Sequence, residues 1–239
     1  MPAIMYERAG HAGRKPSPFS WRVRYAIAHK RADLEYRPTF FSDVETIRTL
    51  SGQHRVPIIV DGDRIIHDSW SIATWLEERF PDGPTLLGGP IGRGLTRTLN
   101  QWSDHTLSPA VRRIISADFI WCLAPQDRAY FRQSREADFG CALEAYCADR
   151  PRWQAELDAT VKPLEHTLSE QPFLSGETPA YADYLIFSVF QYARLGSPYE
   201  ILPEGTALRR WRDRLTAAFD GLGNSAPGYP IEREGPDGR

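Results

Sequence analysis

The spacing of apolar positions alternates between strand-like and helix-like stretches over the first third of the chain. A short apolar stretch at residues 3–7 predicts a buried strand, and residues 34–40 predict a second one. Between them a helix is predicted from Pro18, because proline suits the first turn, where its missing N–H would have no partner. The apolar positions of this helix recur at helical spacing and are Phe19, Val23, Ala26 and Ile27. This part of the chain therefore predicts a strand–helix–strand unit.

A predicted hairpin and a further helix follow. Residues 56–60 are apolar and residues 64–67 are strand-like, and the Asp-Gly pair between them is typical of a tight turn. A short helix or turn is predicted at 44–50, and Asp68-Ser69 is typical of a helix start. The order β-α-β-α-β-β-α predicts an α/β domain, with a parallel strand pair, a hairpin and helices against the sheet.

Two breaks separate this region from one that is helical in pattern almost throughout. Residues 81–84 and 88–90 are rich in proline and glycine, which predicts a linker. We expect an α/β domain at 1–85, an all-helical domain at 86–223 and a flexible tail at 224–239, where glycine, proline and charge dominate. The helices predicted for the second domain are 91–117, 126–148, 153–169, 181–195 and 206–219.

Composition narrows the functional classes. The 29 Lys and Arg against 31 Asp and Glu give a formal charge of -2, which argues against a chain that coats nucleic acid or an anionic membrane. No apolar stretch reaches the length of a membrane span and no signal peptide is visible, so we expect a cytoplasmic protein. Cys122, Cys141 and Cys147 lack the spacing of metal ligands. We therefore expect buried free thiols and no metal site.

Ser17 stands at the predicted start of the first helix. Unpaired backbone N–H groups and the positive end of the helix macrodipole stabilise an anion at such a point. A hydroxyl there can donate a hydrogen bond to a thiolate. A free thiol has a pKa of about 8.5, and each unit of lowering corresponds to about 1.4 kcal/mol of preferential thiolate stabilisation. Taken alone, a serine in this position is more often a plain helix cap, so both interpretations stay open.

Two further features fit a binding site for a small peptide. Val56-Pro57 leads a predicted interior strand, and a cis bond there would turn the Val56 backbone outward to pair with an extended ligand. Asp68-Ser69 opens a helix, where the helix end and the Ser69 hydroxyl suit a carboxylate and Asp68 suits an ammonium group. An ordinary trans proline and a plain helix cap are the alternatives. Together with Ser17 these features describe a pocket for a thiol, a carboxylate and an amine.

Four sequence segments carry a family resemblance. Residues 17–26, Ser-Pro-Phe-Ser-Trp-Arg-Val-Arg-Tyr-Ala, resemble the serine-type active-site segment of zeta-class cytosolic glutathione transferases. They resemble even more the Ser-Pro-aromatic-x-Trp-Arg segment of the bacterial lignin β-aryl etherases. Residues 55–61, 68–76 and 125–136 are similar to that etherase branch as well. The resemblance implies a thioredoxin-like domain followed by an all-helical domain, glutathione as co-substrate, and a homodimer.

The resemblance also implies roles for matching residues. Ser17 would activate the glutathione thiol, with Ser20 as a stand-in. Val56, before a cis Pro57, would pair with the cysteinyl backbone, and Arg55 would assist near the glycine end. Asp68 and Ser69 would hold the γ-glutamyl end. A hydrophobic, aromatic second substrate would lie against the helical domain, where the candidate aromatic residues are Phe19, Trp102, Phe119 and Trp121.

Two departures from the family pattern bear on stability and chemistry. The family usually places Ser, Thr or Asn three residues before a buried aspartate that caps a core helix. Here the aspartate is Asp183 and Ala180 takes the other position, so half of the reciprocal cap is missing, at a cost of about 1 kcal/mol. Classes that reduce mixed disulfides carry cysteine where Ser17 stands, so thiol exchange is disfavoured.

Three functions stay open from the sequence. The leading one is attack of a glutathione thiolate on an electrophilic carbon, with β-aryl ether ketones as the etherase-like substrates. A zeta-like cis–trans isomerase of a small dicarboxylate is the second, and it needs pocket cations such as Arg22, Arg112 or Arg113. A protein of this fold that binds glutathione or other ligands without catalysis is the third.

Overall fold

The computed structural model describes residues 2–231. The first domain contains a four-stranded sheet packed against helices. The strands are β1 (Ala3–Arg8), β2 (Leu34–Thr39), β3 (Ile58–Asp61) and β4 (Arg64–His67). Their order across the sheet is β2-β1-β3-β4, with β1 and β2 parallel and the other neighbouring pairs antiparallel. A parallel pair needs a crossover connection, which the helix starting at Pro18 supplies, whereas the hairpin needs only a tight turn.

The helices divide into two groups. Those of the α/β domain are α1 (Pro18–His29), α2 (Val44–Ser51) and α3 (Ser69–Arg79). Those of the helical domain are α4 (Gly89–Trp102), α5 (Ser108–Phe119), α6 (Pro125–Phe139), α7 (Leu143–Tyr146), α8 (Arg150–Glu170), α9 (Tyr181–Gly196) and α10 (Ala207–Gly221). The predicted fold class is confirmed: a thioredoxin-like α/β domain is followed by an all-helical domain.

The strand register brings the segments with candidate chemistry to one edge of the sheet. Ile58 pairs with His67, so the residues just before β3 and just after β4 lie side by side. Tyr6 pairs with Ile58, and Arg8 pairs with Thr39, so the carboxyl ends of β1 and β2 lie at that edge too. The loops that enter α1 and α3 therefore start from the same edge as the segment that precedes β3.

Two predicted helices are interrupted. The apolar pattern predicts one helix at 91–117, but the structure has α4 and α5 joined by a π-helical turn, Ser103–Leu107. Pro109 has no N–H to continue the hydrogen-bond ladder, which accounts for the wider turn ahead of it. The predicted helix 126–148 is divided into α6 and α7 because Gly140 adopts a left-handed conformation, with φ at 71°.

Helix α1 joins the two domains because it packs on α9 of the helical domain. Arg22, which is 1% exposed, points from α1 into this interface. Its Nη2 donates to Oδ1 of Asp104 at 2.6 Å, and its Nε donates to Oγ of Ser188 at 3.1 Å. Moving α1 would separate the buried charge of Arg22 from Asp104 or Ser188 at a cost in free energy. These two hydrogen bonds therefore fix the position of α1. Ser17, at the start of α1, is held in place with it.

One buried carboxylate holds the start of α9. Asp183 is fully buried and accepts hydrogen bonds from the backbone N–H groups of Leu174, Ser175 and Ala180 and from Nε1 of Trp211. These four donors lie at 2.8–3.2 Å from the carboxylate oxygens. Ala180 provides no side-chain oxygen in return, so only one half of the reciprocal cap exists. The carboxylate is fully engaged nevertheless, because the other donors come from outside the cap.

The segment expected to be a flexible tail is partly held in place. After a short turn, residues 225–231 lie against the loop that precedes α1. Nη2 of Arg14 donates to the carbonyl oxygens of Gly228 at 3.2 Å and of Pro230 at 3.1 Å, and Ile231 is 7% exposed. Residues 232–239 lie outside the described residues. A buried arginine thus orders a segment whose composition alone predicted flexibility.

Two further expectations concern thiols and membranes. Cys122 and Cys147 are buried and free, as predicted. Cys141 differs, since it is exposed in the short loop between Gly140 and α7. Among residues 2–231, none of the helices combines the length and the apolar character needed to cross a bilayer.

Candidate active site

A cavity of about 490 Å³ opens between the two domains at the shared sheet edge. The α/β domain contributes Ser17 and Phe19 from the start of α1, and Arg55 and Val56 from the segment before β3. The helical domain contributes Phe119. The structure therefore brings these five predicted site residues together. The predicted site residues that do not line the cavity are Ser20, Pro57, Asp68, Ser69, Trp102 and Trp121.

Ser17 is the N-cap residue of α1. Its backbone is extended, with φ at -100° and ψ at 115°, and its Oγ accepts a hydrogen bond from the Ser20 N–H at 3.2 Å. Because Oγ is the acceptor in this cap, the hydroxyl proton remains free to donate to an anion in the cavity. Capping and thiolate activation are therefore compatible at Ser17, whereas the sequence presented them as alternatives.

Ser20, the other candidate hydroxyl, lies inside the first turn of α1. It is 1% exposed, and its Oγ has no hydrogen-bond partner in the described part of the chain. Its side chain does not line the cavity. The geometry therefore favours Ser17 as the hydroxyl that meets a ligand.

The segment before β3 presents backbone and charge to the cavity. The Val56–Pro57 peptide bond is cis. Arg55 is exposed, and the side chain of Gln53 holds its backbone in place: Oε1 of Gln53 accepts from the Arg55 N–H and Nε2 donates to its carbonyl, both at 2.6 Å. These bonds involve only the backbone of Arg55 and not its guanidinium. The charge of Arg55 can therefore reach a ligand bound beside Val56.

The start of α3 combines a helix cap with an unusual backbone. Asp68 has a φ of 72°, and its Oδ1 accepts from the N–H groups of Trp70 at 3.0 Å and Ser71 at 3.1 Å. Such a conformation is uncommon outside glycine and is concentrated at functional sites. Ser69 is buried, and its carbonyl accepts from the Tyr181 hydroxyl of α9 at 2.8 Å. The described residues leave Oδ2 of Asp68 without a hydrogen bond, so this oxygen is available to a ligand.

One wall of the cavity is formed by the predicted Phe119 together with four aromatic side chains that the sequence did not single out. The centroid of the Phe119 ring lies 4.2 Å from that of Tyr192 and 5.7 Å from that of Phe131. Phe41 continues the row, at 6.4 Å from Phe131 and 6.0 Å from Tyr130. Phe41 belongs to the segment after β2 and the other rings to the helical domain, so the wall spans both domains. It provides an apolar surface for an aromatic group.

The predicted second-substrate residues divide in two. Phe19 is 40% exposed, lines the cavity and lies under the Arg22 guanidinium, 4.7 Å from Cζ to the ring centroid. Trp102 and Trp121 are half-buried outside the lining, and Arg128 stacks on Trp121 at 5.0 Å. In this geometry Phe19 and Phe119 are the predicted aromatics that a cavity ligand would contact.

Among the cations considered for a dicarboxylate, Arg112 alone lines the cavity. Arg22 is engaged at the domain interface, and Arg113 pairs with Glu156 at 3.0 Å. Arg112 is half-buried, and its Nε donates to the Ser108 carbonyl of its own helix at 3.3 Å. Across residues 2–231, no three His, Cys, Asp or Glu side chains are grouped so that they could hold a metal ion.

Two family models match the chain and together span both domains. One, described as "Glutathione S-transferase, N-terminal domain", matches residues 13–85. The other, described as "Glutathione S-transferase, C-terminal domain", matches residues 94–218. The second match alone covers more than half of the 239 residues.

Individual relatives match this chain either over a part of its length or at low sequence identity. Over 87 residues the chain is 34% identical to a probable maleylacetoacetate isomerase from Caenorhabditis elegans, which covers 35% of this chain and 41% of that protein. The chain thus matches less than half the length of this relative. The solved glutathione transferase GSTFuA3 from Phanerochaete chrysosporium shares the fold at a TM-score of 0.81 and 20% identity, covering 90% and 96% of the two chains. A Ceriporiopsis subvermispora glutathione S-transferase, solved in complex with glutathione, matches at a TM-score of 0.79 and 19% sequence identity. This match covers 95% of this chain and 99% of that chain.

Proposed function

Since this chain belongs to the glutathione S-transferase family, we propose that it binds glutathione in the cavity at Ser17 and uses the thiolate to attack an electrophilic carbon. The observation that carries this proposal is the Ser17 cap, because its Oγ accepts from the Ser20 N–H and leaves the hydroxyl proton to a thiolate. The solved relative from Ceriporiopsis subvermispora, which contains glutathione, supports the choice of ligand.

Each end of glutathione has a matching group at the sheet edge. The backbone of Val56 pairs with the cysteinyl residue, as an added strand would. Asp68 and Ser69 hold the γ-glutamyl end, since the Oδ2 of Asp68 faces an ammonium group and the start of α3 faces a carboxylate. Arg55 meets the glycine carboxylate. The pairing of Ile58 with His67 supports this arrangement, because it places the start of α3 beside the segment before β3.

The electrophile that suits this cavity best is an aromatic β-aryl ether ketone. The thiolate sulfur forms a bond to the carbon α to the ketone, the bond from that carbon to the ether oxygen breaks, and its electron pair leaves with a phenolate. A phenolate departs without strong acid assistance, so the protein mainly supplies thiolate, proximity and an apolar surface. The aromatic wall from Tyr130 to Tyr192 and the exposed ring of Phe19 support an aromatic second substrate.

Two measurements test the function. Calorimetry should show binding of glutathione and of S-methylglutathione, while chromatography of a reaction with a 2-aryloxy-1-arylethanone should show a phenol and a glutathione thioether with glutathione only. S-methylglutathione is the matched control because its sulfur cannot attack. Binding without product would favour a protein of this fold that binds ligands without catalysis. Absence of binding would refute the proposal.

A second candidate is cis–trans isomerisation of a small dicarboxylate. Two observations favour it: Arg112 lines the cavity without a carboxylate partner within 4.0 Å among the described residues, and the relative from Caenorhabditis elegans is described as a probable maleylacetoacetate isomerase. In this reaction the thiolate adds to the double bond and leaves again after rotation. Parallel assays with a maleyl substrate and the aryl ether ketone separate the two, and Arg112→Gln should impair only the isomerisation.

We propose further that the chain forms a homodimer. Helix α4 carries Ile91 and Leu95 one turn apart, and they are 81% and 69% exposed. Ile65 on β4 is 45% exposed. Large apolar side chains aligned on one helix face are costly in water and are typical of an interface. A second copy of the chain would cover them, and none of the three lines the cavity.

A further inference from the structure

Arg8 places a buried positive charge in the wall of the cavity. It is the last residue of β1, is 8% exposed and lines the cavity. Its Nη1 donates to the carbonyl of Phe40, and its Cζ lies 4.2 Å from the centroid of the Phe41 ring. Among the described residues this is the one hydrogen bond that the Arg8 guanidinium makes, and the group has several N–H donors, so the remaining donors are left for whatever occupies the cavity.

Within residues 2–231 no direct ion pair neutralises this charge. No carboxylate of the described residues lies within 4.0 Å of the Arg8 guanidinium. The two acids nearby are engaged elsewhere: Asp127 accepts from the backbone N–H groups of residues 41–42, and Asp43 accepts from the Phe40 N–H at 2.7 Å. Burial lowers the pKa of Arg8, and the charges of Asp127 and Asp43 partly offset that effect. The guanidinium remains protonated at neutral pH because its ordinary pKa is so high.

The carboxylates in the lining are already neutralised. Asp104 pairs with Arg22 at 2.6 Å, and Asp138 pairs with Arg135 at 2.7 Å. The cavity therefore keeps a surplus of positive charge from Arg8, Arg55 and Arg112, and of these three Arg8 is the buried one. A buried cation without a partner is unfavourable, and an anionic ligand relieves that cost.

We propose that Arg8 determines specificity by binding the carboxylate of an aromatic second substrate. This inference rests on the proposed glutathione chemistry and deepens it, because it names the substrate class as an aromatic electrophile that carries a carboxylate. Arginine binds a carboxylate through two parallel N–H donors, which fixes the orientation of the ligand. The rings of Phe41 and Tyr130 lie beside the charge, so this part of the cavity selects for an anion and an aromatic ring together.

Bisubstrate analogues test the inference without requiring turnover. Calorimetry on the full chain would compare S-benzylglutathione with its 3-carboxybenzyl and 4-carboxybenzyl derivatives, in the wild type and in Arg8→Gln and Arg8→Lys. The wild type should bind one carboxybenzyl derivative roughly tenfold more tightly than S-benzylglutathione, as a charge-assisted hydrogen bond provides. Arg8→Gln should lose that preference, and Arg8→Lys should keep part of it. Arg37→Gln is the matched control, since it removes the same charge from an exposed site on β2.

The outcomes distinguish the possible failures. Equal binding of all three analogues by the wild type would overturn the inference while leaving the proposed function standing. Equal weakening of all three in Arg8→Gln would overturn it as well, because Arg8 would then serve the carboxylate of glutathione itself or the fold. If the wild type bound neither glutathione nor any analogue, the proposed function would fail and the inference with it. If circular dichroism shows that Arg8→Gln is unfolded, the inference is tested by the wild type and Arg8→Lys alone. It then requires that the wild type prefer a carboxybenzyl derivative and that Arg8→Lys show a smaller preference.

Discussion

Replacing Ser17 by alanine should raise the pKa of the bound glutathione thiol. The Oγ of Ser17 accepts from the Ser20 N–H at 3.2 Å, and its hydroxyl proton has no acceptor in the part of the chain that the structure describes. A hydrogen bond to a charged group contributes about 1.5–3 kcal/mol, and one pKa unit corresponds to about 1.4 kcal/mol, so the thiol pKa should rise by about 1–2 units. The start of α1 remains and keeps part of the thiolate stabilisation. Turnover should therefore fall at neutral pH and recover as the pH is raised.

The same substitution removes a helix cap, and the structure offers a control for that loss. An N-cap serine or threonine contributes about 1 kcal/mol to stability. Thr206 caps α10 in the same way, since its Oγ1 accepts from the Arg209 N–H at 3.2 Å, and it does not line the cavity. Thr206→Ala should therefore lower the free energy of unfolding by a similar amount without changing the thiol pKa. Ser17→Thr keeps both the cap and the hydroxyl.

The assay is a pH titration of the ultraviolet absorbance of the thiolate in the glutathione complex of each variant, beside urea unfolding. The pH dependence of kcat/KM gives an independent measure of the same pKa. The reasoning would be refuted if Ser17→Ala titrated like the wild type while both alanine variants lost equal stability. Ser17 would then be a helix cap only, and the start of α1 would account for the thiolate.

Three further predictions follow from buried charges and the exposed face of α4. Asp183→Ala should lower the free energy of unfolding by about 3 kcal/mol or more in a urea titration, because the fully buried carboxylate is the acceptor for four donors, among them the buried Nε1 of Trp211. Burial alone would raise the pKa of Glu7, but the hydrogen bonds and charges of Arg24 and Lys15 together outweigh it and lower that pKa below its usual range. The stability that Glu7 contributes is present above its unfolded pKa of about 4.3 and is lost as the pH falls through its folded pKa. In Glu7→Gln the free energy of unfolding should therefore fall less steeply with decreasing pH, by up to about 1.4 kcal/mol per pH unit. Leu95→Glu should give a monomer in light scattering, whereas an unchanged mass would contradict the proposed dimer.

Much of the fold could be predicted because it depends on local patterns. The apolar spacing of α1 and the Asp-Gly turn between β3 and β4 are readable without any tertiary information. The two helix divisions had signals in the sequence as well, namely Pro109 and Gly140, and the helical periodicity around them masked both. The flexible tail was expected from composition, which cannot show that Arg14 donates to carbonyls at its far end.

The candidate site was predictable only where one segment carries its own signal. Ser17 and Val56 stand at element boundaries, so their neighbours in sequence indicate what they face. Arg8 instead reads as the polar end of a strand, and Phe41 as an ordinary loop aromatic. Their meeting with Tyr130 depends on α6 packing over the segment after β2, where Asp127 accepts from the backbone of residues 41–42. No local pattern encodes that contact.

The hydrogen bonds from Arg14 to Gly228 and Pro230 join parts of the chain that are 214 and 216 positions apart. During synthesis on the ribosome the amino-terminal residues emerge first, and domains generally fold as units as they emerge. The sheet and α1 can therefore form early, while the loop that leads to Ser17 gains these partners only after residues 228–230 have been synthesised. A nascent chain that stops before Gly228 would contain the α/β domain, but this loop would lack its hydrogen bonds to Gly228 and Pro230. The surroundings of Ser17 are thus completed long after Ser17 itself has been synthesised, by a segment that no local signal near Ser17 announces.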